Sequence, residues 1–372
     1  YLPEDSEISL GSYSYKDFLT IYKELLFLAL YERYYSIANQ LPCVITYQED
    51  ALVSALSQET SINGMHCLEI VKDISAASRS TFVNISDSKS YYMFPFSFSL
   101  KDGLNGILRL HAKRNSKQFL ANCANVLGQA LTKKAADYFV EFENFIVLCD
   151  VPLSKYGNDL PDIDLLVLSY EPSLGFHVFV CEVKNSLQAT WSKEHIKAIN
   201  KKGPILKAIQ QIEKISNFLQ TSSGQRFLYE KIKDTFPTLS YDKLFPTGFV
   251  AIIDHLILTS QNMGTFLAEQ NTAIINDDIF RHVVSKCDGD VTFIQGFIRN
   301  LNNYVIDTYE IMQETINAAG LEITYDIATL SGLMDIGLNE YLSIGSLKEL
   351  EQTSIESGYR FIDNISLVDD ET

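Results

Sequence analysis

The stretch "PDIDLLVLSYEPSLGFHVFVCEVKNS", Pro161 to Ser186, constrains the fold more than any other part of the chain. Two strongly apolar runs, LLVL and VFVC, are short enough to be strands. They are joined by "YEPSLG", whose Pro172 and Gly175 are turn residues. A hairpin centred on Ser173 is predicted. Side chains alternate faces along a strand, so Asp162 and Asp164 share one face, and Glu182 and Lys184 share one face. Ser173 lies midway between Asp164 and Glu182. The register therefore sets these two carboxylates opposite each other, with β-carbons roughly 5 Å apart. Lys184 follows about 7 Å beyond Glu182, two strand rises along.

Carboxylates facing each other at that distance repel. A hard divalent cation removes the cost, because Mg²⁺ takes one or two carboxylates together with water and phosphate oxygens. A neighbouring ammonium can orient or help deprotonate a water aimed at phosphorus. The same residues also read as a surface-ended hairpin with a Glu–Lys pair worth under about 1 kcal/mol.

The surrounding pattern places this hairpin in an α/β centre. "NFIVLCDVPL" reads as the strand before it. Gly203 and Pro204 start an amphipathic helix after it, with Ile205, Ala208, Ile209, Ile212, Ile215 and Leu219 on one face. "GFVAIIDHLILTS", Gly248 to Ser260, reads as a buried strand and "NTAII" as a short one. Upstream, Ser14-x-x-Asp17 resembles a capping box opening a helix that runs to about Asn39. Residues 45–85 carry short helical patterns. "YYMFPFSFSL" and "LNGILRLHA" read as two strands of a hairpin, and residues 116–143 as a helix. From about Asp290 the chain turns helical again and ends in an acidic tail. Three regions follow: a mostly helical one with a β-hairpin over residues 1–125, an α/β core over 126–290, and a helical region with the tail over 291–372.

Asp164 on one strand, Glu182-Val183-Lys184 on the next and a helix carrying Gln211 after it resemble the PD-(D/E)xK superfamily of restriction-endonuclease-like nucleases. The likeness covers residues 130 to 290. It implies a mixed β-sheet core flanked by helices, and metal-dependent hydrolysis of phosphodiester bonds in nucleic acid, DNA ahead of RNA. It also implies that Asp164, Glu182 and the Val183 carbonyl hold Mg²⁺ or Mn²⁺, that Lys184 positions the attacking water and that Gln211 supports it. Many members carry a further Glu on the helix before the first core strand. Here Asp137, Glu141 and Glu143 compete for that place, and Glu143 shares a helical face with Ala136 and Phe139. Asp162 ranks below Asp164 as a ligand, because it reads equally as a solvated residue at a strand start. Folds of this kind also host modules that bind nucleic acid or a protein without cutting.

Charge bears on the partner. The chain of 372 residues has a formal net charge of −17, which argues against wholesale coating of nucleic acid, since phosphate binding needs a local basic surface. Lys193, Lys197, Lys201 and Lys202 nevertheless follow the hairpin closely, with Lys207 and Lys214 beyond them. They read either as a track for a phosphate backbone or as a solvated face. Trp191 reads as a base-stacking ring or a packing anchor, and His195 among the lysines as a phosphate contact. His177 falls on the strand face away from Glu182 and reads as a packed histidine. Asp254 and His255 are strand neighbours pointing to opposite faces, so they form no dyad.

The 6 cysteines lie far apart, without CxxC or zinc-site spacing. They point to a reducing, intracellular and cytoplasmic setting, with Cys149 and Cys181 as small core residues. No apolar run approaches the length needed to cross a bilayer, and the N-terminus lacks the order of a signal peptide. A homodimer would allow both strands of a duplex to be cut.

Overall fold

The structure, a computed structural model, describes residues 2–41, 43–78, 81–85, 89–100, 103–186, 203–245, 247–260, 272–318, 321–330 and 359–363. The chain forms two compact units, Tyr1–Ala130 and Leu131–Thr372.

The first unit opens with a short hairpin, β1 (Ser9–Leu10) and β2 (Tyr13–Ser14), which leads into α1 (Tyr15–Asn39). The capping box is present in full. The Ser14 side chain accepts the Asp17 N–H, and Asp17 accepts the Ser14 N–H. Next come β3 (Ile45–Gln48), α2 (Glu49–Thr60), α3 (Gly64–Ala77), β4 (Phe82–Ile85) and β5 (Ser90–Met93). β5 pairs antiparallel with both β3 and β4.

The expected hairpin over 91–112 is not formed. After Met93 the chain enters α4 (Pro95–Ser99), with Pro95 in the first helical turn, then α5 (Gly103–Arg114). The reason is visible in the burial. Adjacent Ile107 and Leu108 are both buried, which a half-exposed strand cannot do but one face of a helix can. Proline, with its fixed φ and missing N–H, suits a first helical turn and not a paired strand.

Helix α6 (Ser116–Asp137) follows, and it ends before the expected Glu143. Tight turns replace it. Phe139 N–H bonds to Ala136 O and Phe142 N–H to Phe139 O. They bring the Phe139 and Phe142 rings to 5.1 and 6.1 Å from Phe145. Packing three rings over the sheet outweighs continuing one helix.

The second unit is a mixed sheet covered on both faces. β6 (Phe145–Val151), β7 (Ile163–Glu171) and β8 (Gly175–Lys184) form an antiparallel meander. Gly175, at φ +99°, closes the β7–β8 turn; a Cβ there would stand 2.6 Å from the Val250 carbonyl oxygen, so the position requires glycine. The chain then crosses through α7 (Pro204–Leu219), α8 (Ser222–Thr235) and α9 (Tyr241–Leu244) to β9 (Gly248–Thr259), which is parallel to β8. β10 (Ala273–Asn276) is parallel to β9, and the strand order is β10-β9-β8-β7-β6.

α7 buries Ile205, Ala208, Ile212, Ile215 and Leu219 against Leu166, Leu168, Val178 and Val180, as the periodicity predicts, with Ile209 only partly buried. Each fully buried isoleucine contributes about 1.5–3 kcal/mol. The opposite face, with Leu165, Val167, Phe179, Cys181 and Val183, is covered by α10 (Asp277–Lys286) and α11 (Val291–Thr308).

Two further expectations change. Beyond α11 the chain does not stay helical. It forms a hairpin, β11 (Tyr309–Ala318) with β12 (Leu321–Leu330), and β13 (Tyr359–Asp363) returns to pair antiparallel with β9. Cys149 is exposed on β6, which ends the strand order, whereas Cys181 is buried in the centre of the sheet. No helix of the described residues is long and apolar enough to cross a membrane.

Candidate functional site

The site is built where β7 and β8 part. Their ladder runs from Glu171↔Gly175 to Leu165↔Cys181, and the next step of that register sets Asp164 against Glu182. Regular pairing stops there. Asp164 Oδ2 instead accepts the Val183 backbone N–H at 2.7 Å. The N–H and C=O of one strand residue leave on the same side, so the Val183 carbonyl also faces β7. Asp164 continues the face of Leu166 and Leu168, and Glu182 that of Val178 and Val180; both lie on the face covered by α7.

Lys184 is the cation of this cluster. Its Nζ donates to Glu182 Oε1 and lies 4.0 Å from Asp164 Oδ2. The side chains are 1% exposed at Glu182, 19% at Lys184 and 30% at Asp164. Burial pushes Glu182 up to about 7. The Asp164 charge adds to the rise and Lys184 opposes it. Burial also raises Asp164, against the Val183 N–H and Lys184, which favour its ionised form. Ionising both carboxylates is thus costly with one ammonium between them.

Two buried oxygens on this side of the sheet accept no hydrogen bond, Glu182 Oε2 and Gln211 Oε1, and the Glu182 carboxyl lies within hydrogen-bonding reach of Asp164 once it carries a proton. Gln211 is half-buried on α7, which packs against β8. An unpartnered carboxylate oxygen in a buried position is costly and marks a place for a proton or a cation. The donor set of two carboxylates and a carbonyl has the hardness that Mg²⁺ or Mn²⁺ prefers. Among the described residues no three His, Cys, Asp or Glu side chains gather at metal-binding spacing. The two carboxylates present are the number Mg²⁺ itself takes from protein.

Asp150 on β6 was not anticipated. The β6–β7 register sets it against Asp164, but the pairing skips it and its backbone is left-handed, at φ +51°. Its charge adds to the rise at Asp164. The signal was present in "VLCDV", a carboxylate near the end of an apolar strand.

The other expected residues fall elsewhere. Asp162 Oδ1 accepts the Leu153 N–H at 3.1 Å, which is a loop-closing role. Glu143 is exposed in the turn before β6 and not on a helix, and Asp137 and Glu141 are exposed as well. Lys193, Lys197, Lys201, Lys202, Trp191 and His195 lie outside the described residues. His177 is fully buried on the far face, and that burial drives it down to about 4, so it is neutral. Asp254 binds Gln295 and Arg299 on α11, at 2.7 and 2.9 Å.

No protein-family model, curated protein or solved structure matches the chain.

Proposed function

We propose that the chain is a divalent-metal-dependent nuclease of the PD-(D/E)xK type, acting on DNA ahead of RNA. The observation that carries this reading is the meeting of Asp164, Glu182 and Lys184 at the point where β7 and β8 separate. Asp164, Glu182 and the Val183 carbonyl are the groups that would hold Mg²⁺ or Mn²⁺. When bound, such an ion neutralises the paired carboxylates and acts as a Lewis acid toward a phosphate oxygen. Lys184 positions the attacking water, whose oxygen bonds to phosphorus as the bond from phosphorus to the leaving sugar oxygen breaks. The attacking water releases one proton to solvent as its oxygen bonds to phosphorus, and the departing sugar oxygen takes up one proton from solvent, so one water is added across the broken bond. Gln211 Oε1, buried and without a partner, supports the cluster from the helix side. Lys193, Lys197, Lys201 and Lys202 would attract the phosphate backbone, and a homodimer would reach both strands.

A second reading is a nuclease-like module that binds nucleic acid or a protein without cutting. It is favoured by the net charge of −17 and by Lys184 being already engaged with Glu182.

The test is a cleavage assay with Mg²⁺ and Mn²⁺ on plasmid, linear and single-stranded DNA and on RNA, comparing wild type with Lys184→Met. The nuclease reading expects wild-type cleavage and a loss of about 10²-fold or more in the variant. Cleavage that survives Lys184→Met removes the catalytic assignment. Binding without cleavage by either protein favours the module.

A further inference from the structure

The first unit holds a cluster that no sequence motif announces. The β1–β2 hairpin, α3, α5 and the start of α6 enclose a cleft of about 520 Å³, a size typical of small-molecule sites. Its floor is Asp73, which is buried. One Asp73 oxygen accepts the Tyr13 hydroxyl at 2.8 Å and lies 3.2 Å from His111 Nε2; the other takes Arg114 Nη1 at 2.5 Å. Tyr13 Oη is also 3.0 Å from His111 Nε2. Burial alone would raise Asp73, but the three donors outweigh it and hold the carboxylate below its ordinary range. The same burial and the Asp73 charge push the Tyr13 hydroxyl up, so it stays protonated.

The second carboxylate of the lining is engaged as well, since Glu69 accepts the Ser12 hydroxyl. What the cleft still offers is mainly donors. The Arg114 side chain is 51% exposed and has given one N–H to Asp73, leaving the rest of a planar fork whose plane that carboxylate helps fix. Lys72 adds an exposed ammonium from α3, and Phe119 a half-buried aromatic wall from α6. The lining carries Lys72 and Arg114 against Asp73 and Glu69; Asp73 is covered by its three donors, so an incoming phosphomonoester meets a guanidinium and an ammonium from two helices, with Glu69 as the one opposing charge at the rim. An arginine fork buttressed by a carboxylate suits phosphate oxygens.

We propose that this cleft binds a phosphomonoester carried on a small planar molecule, with Arg114 and Lys72 on the phosphate and Phe119 against the planar part. The phosphate could belong to a free mononucleotide or to the 5′ end of a nucleic acid. The proposal is independent of the reading given to Asp164 and Glu182.

The experiment is calorimetric titration of the full chain in EDTA, which keeps divalent ions from the β7–β8 site. The probes are AMP, inorganic phosphate, adenosine, and a short oligonucleotide with and without a 5′-phosphate. AMP is expected to bind at least about tenfold more tightly than adenosine, with inorganic phosphate competing. Lys72→Gln alters an exposed side chain and should weaken AMP about tenfold while leaving the melting temperature near wild type; Arg114→Lys keeps a cation beside Asp73 but loses the planar fork, and should also weaken AMP about tenfold. A 5′-phosphorylated oligonucleotide that binds as well as AMP, and better than its dephosphorylated form, identifies a nucleic-acid end as the source; AMP alone binding identifies the free nucleotide. Equal affinity for AMP and adenosine, no binding of any phosphate-bearing probe, or AMP affinity unchanged in both variants overturns the proposal.

Discussion

Asp164 Oδ2 accepts the Val183 N–H at 2.7 Å, where a ladder continuing the β7–β8 register would present the backbone of Ile163. On its other edge Ile163 stays paired with Val151 of β6. A side chain thus replaces the backbone at the last rung, and the sheet opens without leaving the Val183 N–H unbonded. The opening sets two carboxylates and a lysine at one end of a rigid sheet.

Metal linkage is the first. Mg²⁺ or Mn²⁺ should raise the melting temperature of the wild type, since an ion at a hundred times its dissociation constant stabilises by about 2.7 kcal/mol. Asp164→Asn should reduce the gain, and Asp164→Asn/Glu182→Gln should abolish it. Thermal melts with and without the ion measure this. An equal gain in wild type and double variant would place the ion elsewhere.

The pH dependence follows from Glu182, whose carboxyl is raised from an ordinary 4.5 to about 7 in the fold. Between those values the folded state binds more protons than the unfolded one, so stability falls as pH rises through the window. The loss at Glu182 is on the order of 3 kcal/mol when complete, because one pKa unit is worth about 1.4 kcal/mol. Glu182→Gln carries no such charge. Urea unfolding in EDTA between pH 5 and 8 should show wild type losing stability relative to the variant as pH rises. Parallel curves would mean that Glu182 titrates normally.

The far face of the sheet gives the third prediction. Asp254 and Arg299 form a pair with side chains only 10% and 12% exposed, and Gln295 also donates to Asp254. Asp254→Ala leaves the guanidinium without its carboxylate in a dry setting, which costs about 3–5 kcal/mol. Adding Arg299→Met should recover part of that loss. Equilibrium unfolding of both variants tests it, and a single variant within about 1 kcal/mol of wild type would show that the pair is not buried in solution.

The sequence alone determined what local spacing can carry. The Ser14–Asp17 cap, the α7 face from Ile205 to Leu219 and the strands over 145–151, 163–171, 175–184 and 248–259 are all written in short-range pattern. The opposition of Asp164 and Glu182 was legible too, because a tight turn fixes the register of both strands at once. Residues 91–112 are not legible in this way, since a short apolar run fits both periods and tertiary burial of Ile107 and Leu108 chose the helix.

Only the tertiary structure set the electrostatics. Glu182 is buried because its strand lies inside the sheet beneath α7, and that burial raises its carboxyl; the charge of Asp150, from a strand that local pattern could not align, adds to the rise at Asp164. The Tyr13, Asp73 and His111 cluster joins residues 60 and 98 positions apart, a distance over which no sequence period operates. Burial and charge proximity are properties of the packed chain, so the electrostatics of both clusters were decided there.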